Sequence, residues 1–95
     1  MHLEDLKLQW NDVLDDLEAR DRVAWLAVFD GRLASLEGST LVLDFSDVTK
    51  FANPHEFERA TNPRFLAALA DSIERICAVR VVVHTVDAHG RPAAR

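Results

Sequence analysis

The chain has little of the residues that most often mark a specialised fold. Its 95 residues include one cysteine, three glycines, three prolines and no tyrosine. A single cysteine, Cys77, excludes an internal disulfide and suits a reducing compartment. Scarce glycine and proline, together with 48% apolar residues, argue against overall disorder.

Long apolar runs are also missing. No run approaches the ~18 residues that a membrane-spanning helix needs. The opening MHLEDLKLQW lacks the apolar core of a signal peptide. The sequence therefore predicts one cytoplasmic domain over residues 1–88 with no membrane partner. A disordered tail is expected at 89–95, which contains Gly90 and Pro92.

Positive charge is scarce at the start of the chain. The net charge is −5, and residues 1–19 carry all of it, because six acids there face Lys7 alone. The remaining residues balance ten acids with ten bases. Nucleic-acid affinity usually rests on a basic surface, so bulk charge argues against it while leaving room for a local basic patch.

Two helices are predicted at the start of the chain. Apolar residues at three- and four-residue steps predict a helix from about Leu6 to Ala19. Asp21 is suited to cap a second helix, Arg22–Asp30, because its carboxylate can accept from exposed backbone N–H groups. Gly31 is well placed to end that helix.

A hairpin should follow. The runs Arg32–Glu37 and Thr40–Phe45 alternate in the manner of strands. Gly38 and Ser39 connect them, and a glycine in the first position predicts a type II′ turn. One face of this hairpin is clearly apolar, so helices should cover one side of the sheet.

The second half of the chain predicts two more helices. Ser46 can cap a helix beginning at Asp47, and Pro54 should kink or restart it. Asn62 and Pro63 then resemble an N-cap followed by proline in the first helical position. The next helix is expected over Pro63–Cys77.

A third strand, Val79–Val86, is expected at the end. Its Val81-Val82-Val83 run is apolar on both faces, which predicts an inner strand. The predicted fold is therefore a single α+β domain with the order α(α)-β-β-α-α-β. Its three-stranded sheet should carry helices on one face.

Residues equipped for catalysis are hard to find. The phosphate-binding patterns GxxxxGK[ST] and GxGxxG are absent. Cys77 ends an apolar helix, where it is either a small core residue or a nucleophile that would need a nearby base. The four histidines show no metal spacing. The sequence predicts no catalytic residue, metal or cofactor, although a small enzyme or metal protein using His84, Cys77 and the acids remains a competing hypothesis.

An acidic group on the first helix has two interpretations. Asp12, Asp15, Asp16 and Glu18 can form a solvated face or a docking face for a basic partner. A metal site is less well matched, because oxygen ligands usually come from a loop. We take the three aspartates as candidate partner contacts.

Two further pairs of residues are candidates for binding. Trp25 and Phe29 share a helical face and can be core residues or anchors for a partner. Arg59 and Arg64 flank the start of the Asn62-Pro63 helix, where they are surface residues or a phosphate site. We take the aromatic pair as candidate partner contacts and the arginines as candidate nucleic-acid contacts.

Several of these segments together resemble one known family. The opening Trp10-Asn11-Asp12-Val13-Leu14, the short helix with Ala24-Trp25-Leu26 and the hairpin are similar to the C-terminal region of the gamma/tau subunit of the bacterial DNA polymerase III clamp loader. The segment Phe65–Leu69 and the strand at Val79–Val83 continue the resemblance. It covers roughly Leu8 to Val86, and Asn53–Pro63 is the least similar stretch.

The resemblance implies a non-catalytic protein-interaction module. In this family the C-terminal region tethers the clamp loader to the replicative polymerase, so the implied partner is a DNA polymerase III subunit. A KH-like topology is implied, and the predicted element order is that of a type II KH domain. The alternative is a KH-like nucleic-acid-binding domain without the GxxG loop, because Ala60-Thr61-Asn62-Pro63 holds no glycine.

Overall fold

Three helices and a three-stranded sheet make up the part of the chain that this computed structural model describes, residues 1–45 and 62–86. The described elements are α1 (Leu3–Arg20), α2 (Arg22–Val28), β1 (Arg32–Glu37), β2 (Thr40–Asp44), α3 (Pro63–Cys77) and β3 (Val82–Val86). The predicted α+β class is confirmed. The predictions of a helix from Asp47, a kink near Pro54 and a tail at 89–95 fall outside the described residues.

Helix caps form where the sequence predicts them. The Asp21 Oδ1 atom accepts from the backbone N–H of Ala24 at 3.1 Å, which starts α2. The Asn62 Oδ1 atom accepts from the N–H of Arg64 at 2.9 Å, with Pro63 in the first turn of α3. These side chains satisfy N–H groups that the helices leave without an internal partner.

Gly31 has a different role from the predicted helix end. Helix α2 ends at Val28, two residues before the predicted Asp30, and Gly31 does not have a positive φ. A Cβ atom at Gly31 would lie 2.8 Å from Cζ of Phe45. The Phe45 ring is fully buried and has little room to move. Glycine is therefore required at position 31, because the ring of Phe45 leaves no room there for a Cβ atom.

The sheet has the order β1-β2-β3. Strand β1 pairs with β2 antiparallel, and β2 pairs with β3 parallel. Gly38 has φ +61° at the hairpin turn while Ser39 has no positive φ, as a type II′ turn requires. A register shift between Leu33 and Ser35 places a bulge in β1.

The prediction of an inner strand at Val81-Val82-Val83 is wrong for the described sheet. Strand β2 is central and β3 lies at an edge. Val81 and Val83 are buried, whereas Val82 is 57% exposed on the opposite face. A run of three valines matches a strand covered on both sides, but here the described helices cover only one face.

The core lies between the sheet and the helices. Side chains on one face of β2, Leu41 and Leu43, are fully buried, whereas the alternating Val42 and Asp44 are partly exposed. The same layer holds the apolar faces of α1 and α3, whose fully buried members are Leu6, Val13, Leu17, Leu69 and Ile73. In the described part of the chain, no helix combines the length and apolar character needed to cross a membrane.

Candidate functional site

Asp16 lies within the fold, where it joins α1 to α3. Its carboxylate accepts from Nε of Arg20 at 3.0 Å and from Nε of Arg75 at 3.2 Å. The Nη2 atom of Arg20 also donates to Oγ of Ser72 at 2.6 Å and to the Ala68 carbonyl at 3.3 Å. We call Asp16, Arg20, Ser72 and Arg75 the Asp16 network. The network therefore engages within the fold the Asp16 carboxylate, which the sequence suggested as a partner contact.

The Asp16 network favours the charged form of its carboxylate. The Asp16 side chain is only 13% exposed, and this burial alone would raise its pKa. Hydrogen bonds from Ser72, Arg20 and Arg75 outweigh burial and lower the pKa below the ordinary value of 3.8. Asp16 is therefore a charged link between the two helices.

The other acids of α1 remain on the surface. Asp12 and Asp15 are exposed, and no ion pair holds either of them among the described residues. Glu18 faces Arg22 one turn further along, at 3.6 Å. The outward acidic surface of the middle of α1 thus consists of Asp12 and Asp15, which are three positions apart on one helical face.

Helix α2 buries its small residues and exposes most of its large ones. Ala24, Ala27 and Val28 face the interior. The exposed fractions on the other side are 57% for Val23, 47% for Leu26 and 37% for Phe29. A surface helix normally shows the reverse arrangement, with its large apolar side chains facing the core.

An aromatic stack continues this surface. The rings of Trp25 and Phe29 lie 4.8 Å apart at an interplanar angle of 19°. The Arg22 guanidinium lies 5.9 Å from the centroid of the Trp25 ring, within the range of a cation–π contact. Trp25 itself is half-buried. The α2 face, defined here as Arg22, Val23, Trp25, Leu26 and Phe29, combines apolar area with one cation.

The candidate nucleic-acid residues are only partly described. Arg64 is exposed, and its guanidinium lies 5.9 Å from the ring of Phe65. Arg59 lies outside the described residues. The first N–H groups of α3 are partly used, because Asn62 already accepts from the N–H of Arg64. The predicted phosphate site therefore has one described cation.

Cys77 and His84 point to opposite sides of the sheet. Cys77 ends α3 on the helix-covered side and is half-buried. Burial raises the pKa of its thiol, and the charge of Asp12 raises it further, which disfavours the reactive thiolate. His84 is exposed on the other face of β3, between buried Val83 and Thr85. Among the described residues, no three histidine, cysteine or acidic side chains form a group that could hold a metal ion.

A groove between α3 and β3 has no counterpart in the sequence predictions. It has a volume of about 360 Å³ and is lined by Pro63, Leu66, Ala67, Ala70, Arg80 and Val81–Val83. The sequence predicts that β3 is an inner strand, and an inner strand has no open edge beside a helix. In the sequence, the small residues of α3 were the signal that could have revealed the groove, because small side chains leave space beside the strand.

The α2 face, the exposed acids of α1 and the α3–β3 groove are thus three surface features of the described residues that could serve binding. The sequence of the chain was compared with protein-family models and with curated proteins, and its fold with solved structures. None of the three comparisons returned a match.

Proposed function

We propose that this chain is a non-catalytic protein-interaction module of the bacterial DNA replication machinery. Its role would be to tether the clamp loader to a subunit of the replicative DNA polymerase III in the cytoplasm. The resemblance to the gamma/tau C-terminal region, carried by Trp10–Leu14 and the hairpin, supports this role. The module itself would need no cofactor.

A KH-like arrangement is the finer fold that accompanies this proposal. The order strand, strand, helix and strand in the described chain is the one expected of a type II KH domain, and two helices precede β1 where that order has one. The first helix of the expected central pair falls in residues 46–61, outside the described part. The described sheet, with one parallel and one antiparallel pair, is compatible with that topology.

The α2 face is the observation that most supports a binding role. Exposed Val23 and Leu26 lie beside a stacked aromatic pair and an arginine. Aromatic residues and arginine are enriched among the residues that dominate binding energy at protein interfaces. A helix that places its large side chains outward does not gain from burying them in its own core, so a partner surface is the natural place for them.

Binding to the purified DNA polymerase III polymerase subunit tests the proposal. Leu26→Glu places a charge in the centre of the α2 face, and we expect the Kd to rise by about tenfold or more. Leu8→Glu is the matched control, because Leu8 is 86% exposed on α1 and undergoes the same change. Isothermal titration calorimetry gives both affinities, and thermal melting confirms that both variants fold.

Two results would contradict the proposal. One is an absence of binding between the unmodified chain and the polymerase subunit at micromolar concentration. The other is an equal loss of affinity in Leu26→Glu and Leu8→Glu. Salt-sensitive binding of single-stranded DNA that Arg64→Ala removes would instead favour the KH-like nucleic-acid alternative.

A further inference from the structure

The outer edge of β3 carries backbone groups that pair with nothing in the described structure. The N–H of Val82 donates to the Ser39 carbonyl at 2.8 Å, and the Val86 carbonyl accepts from the N–H of Phe45 at 3.2 Å. Residues 82, 84 and 86 therefore direct their backbone groups toward β2. In a strand the intervening residues direct theirs the opposite way, so Val83 and Thr85 present N–H and C=O groups at the outer edge.

The two edges of the described sheet differ in how they are protected. Strand β1 carries a bulge between Leu33 and Ser35, which interrupts regular pairing with another strand. Strand β3 pairs in unbroken register and contains only valine, histidine and threonine. It has none of the charges, prolines or bulges by which proteins usually block an edge.

The groove beside β3 offers space for side chains of an added strand. Ala67 and Ala70 of α3 line the groove together with Val81 and Val83, and the lining is mainly apolar. Alternate residues of a strand paired to Val83 and Thr85 would point to the helix-covered side of the sheet. Their side chains would enter this groove.

A second copy of the chain does not suit the groove. The β3 side chains that would have to enter a neighbour's groove are those of Val83 and Thr85, and they are 8% and 2% exposed in their own core. Pairing of β3 with β3 would therefore leave both grooves empty. The net charge of −5 adds repulsion between copies. An extended segment can fill the groove, because its side chains are not already buried in a core of its own.

Charge on and beside the groove further defines the occupant. Arg80, which lines the groove, contacts Asp71 at 2.9 Å and Glu74 at 2.8 Å, so its charge is matched. Arg64 directly follows Pro63, another lining residue, and has no carboxylate partner among the described residues. The middle of the occupant should be uncharged, and a carboxylate beside Arg64 should be favourable.

The geometry points to a peptide-binding site on β3. We infer that an extended segment of a partner protein adds to β3 as a fourth, antiparallel strand, places alternate aliphatic side chains in the α3–β3 groove and sets a carboxylate near Arg64. Antiparallel pairing is the more stable geometry, and such strand addition is a common mode of peptide recognition. The site uses different elements from the α2 face, and the inference does not depend on the proposed function.

A labelled dodecapeptide of alternating valine and threonine, with glutamate near its N-terminus, serves as the probe. In antiparallel pairing, the peptide residues that bond to Val83 and Thr85 are those whose side chains face the groove. N-methylation of two groove-facing valines should weaken binding by about tenfold or more, because two hydrogen bonds are lost. N-methylation of two threonines should leave the affinity within about twofold.

Amide hydrogen exchange gives a readout at single residues. In the unbound chain, the amides of Val83 and Thr85 should exchange faster than those of Val82 and His84, which face β2. Saturation with the peptide should slow exchange at Val83 and Thr85 and leave the other two unchanged.

Variants of the protein test the groove and its charge. Ala67→Leu should fill the groove and weaken peptide binding by about tenfold, whereas Ala19→Leu, the same change on an exposed position of α1, should not. Arg64→Glu should weaken binding of the glutamate peptide and strengthen binding of a matched lysine peptide.

Three results would overturn the inference. The first is no binding of either peptide at millimolar concentration. The second is equal weakening by both N-methylation patterns. The third is a concentration-dependent dimer, measured by sedimentation, in which Val83 and Thr85 are already protected without peptide, since that would show that a second copy occupies the edge.

Discussion

Single residues of this chain depart from ordinary packing rules in informative ways. Thr85 is 2% exposed, and its Oγ1 atom has no hydrogen-bond partner in the part of the chain that the structure describes. Ala78 adopts a left-handed conformation with φ 60° at the end of α3, a position that usually favours glycine. Thr85 lies within β3, and Ala78 lies in the link between α3 and β3, the strand whose place in the sheet the sequence predicted wrongly.

The buried hydroxyl of Thr85 leads to a stability prediction. Thr85→Val removes an oxygen that has lost its contacts with water and gained none in return, while the side-chain shape is kept. We expect the free energy of unfolding to rise by about 1–2 kcal/mol. Urea denaturation measures the change.

Thr40→Val provides the control for Thr85→Val. Thr40 is an exposed strand residue, so the same substitution there should change the stability by less than about 0.5 kcal/mol. Equal or lower stability of Thr85→Val relative to the unmodified chain would mean that the hydroxyl has a partner in solution.

Helices α1 and α3 are held together by apolar packing and by the Asp16 network. They run antiparallel, because Asp16 contacts Arg75 whereas Arg20, one turn later on α1, contacts Ser72 and Ala68. The link combines a charged carboxylate with a fully buried hydroxyl. Charge-assisted hydrogen bonds of this kind are stronger than neutral ones.

The Asp16 network should make stability depend on pH in the acid range. The pKa of Asp16 in the folded state lies below 3.8, its ordinary value. A carboxyl with a lowered folded-state pKa contributes stability that is fully present above the unfolded pKa and is lost as pH falls through the folded pKa. Asp16→Asn should therefore lower the free energy of unfolding by about 1–2 kcal/mol at pH 7 and by less at pH 3, where the unfolded carboxyl is already largely protonated.

Chemical denaturation at both pH values measures this difference. Asp15→Asn is the control, because Asp15 is exposed and no ion pair holds it in the described structure. Its effect should be small at either pH. A deficit of Asp16→Asn that stays constant down to pH 3 would show that the carboxylate charge is not what stabilises the helix pair.

Elements with local signals could be predicted from the sequence, and elements that depend on their neighbours could not. Asp21, Gly38 and Asn62-Pro63 act within a few residues of chain, and each has the expected place in the structure. The edge position of β3 depends on which strands pair, which its three valines do not encode. The engagement of Asp16 with Arg75 likewise joins residues 59 positions apart.

The same distinction applies to the candidate surface. Trp25 and Phe29 could be selected by helical spacing, and the structure stacks them with Phe29 exposed and Trp25 half-buried against the core. Val23 and Leu26 could not be selected as surface residues, because an apolar residue in a short apolar helix carries no signal of its exposure. The α3–β3 groove requires the packing of two elements and could not be inferred from either one.

At the scale of the whole molecule, negative charge is concentrated on one helix. All of the net charge of −5 lies within residues 1–19. Asp16 is engaged within the fold, so Asp12 and Asp15 are the acids that project from the middle of α1. Such an asymmetric field orients a basic partner before contact and affects association more than dissociation.

The charge asymmetry predicts how the proposed complex should form. Asp15→Asn should lower the association rate constant with the polymerase subunit by about twofold to threefold and leave the dissociation rate nearly unchanged, because rim charges act mainly on encounter. The deficit should vanish at high salt, where the Debye length falls to about 3 Å at 1 M.

Glu37→Gln, which removes an exposed charge at the end of β1, should leave both rates unchanged. Stopped-flow fluorescence at two salt concentrations gives these rates. A change confined to dissociation would show that Asp15 lies inside the interface, and no change in either rate would remove α1 from the docking surface.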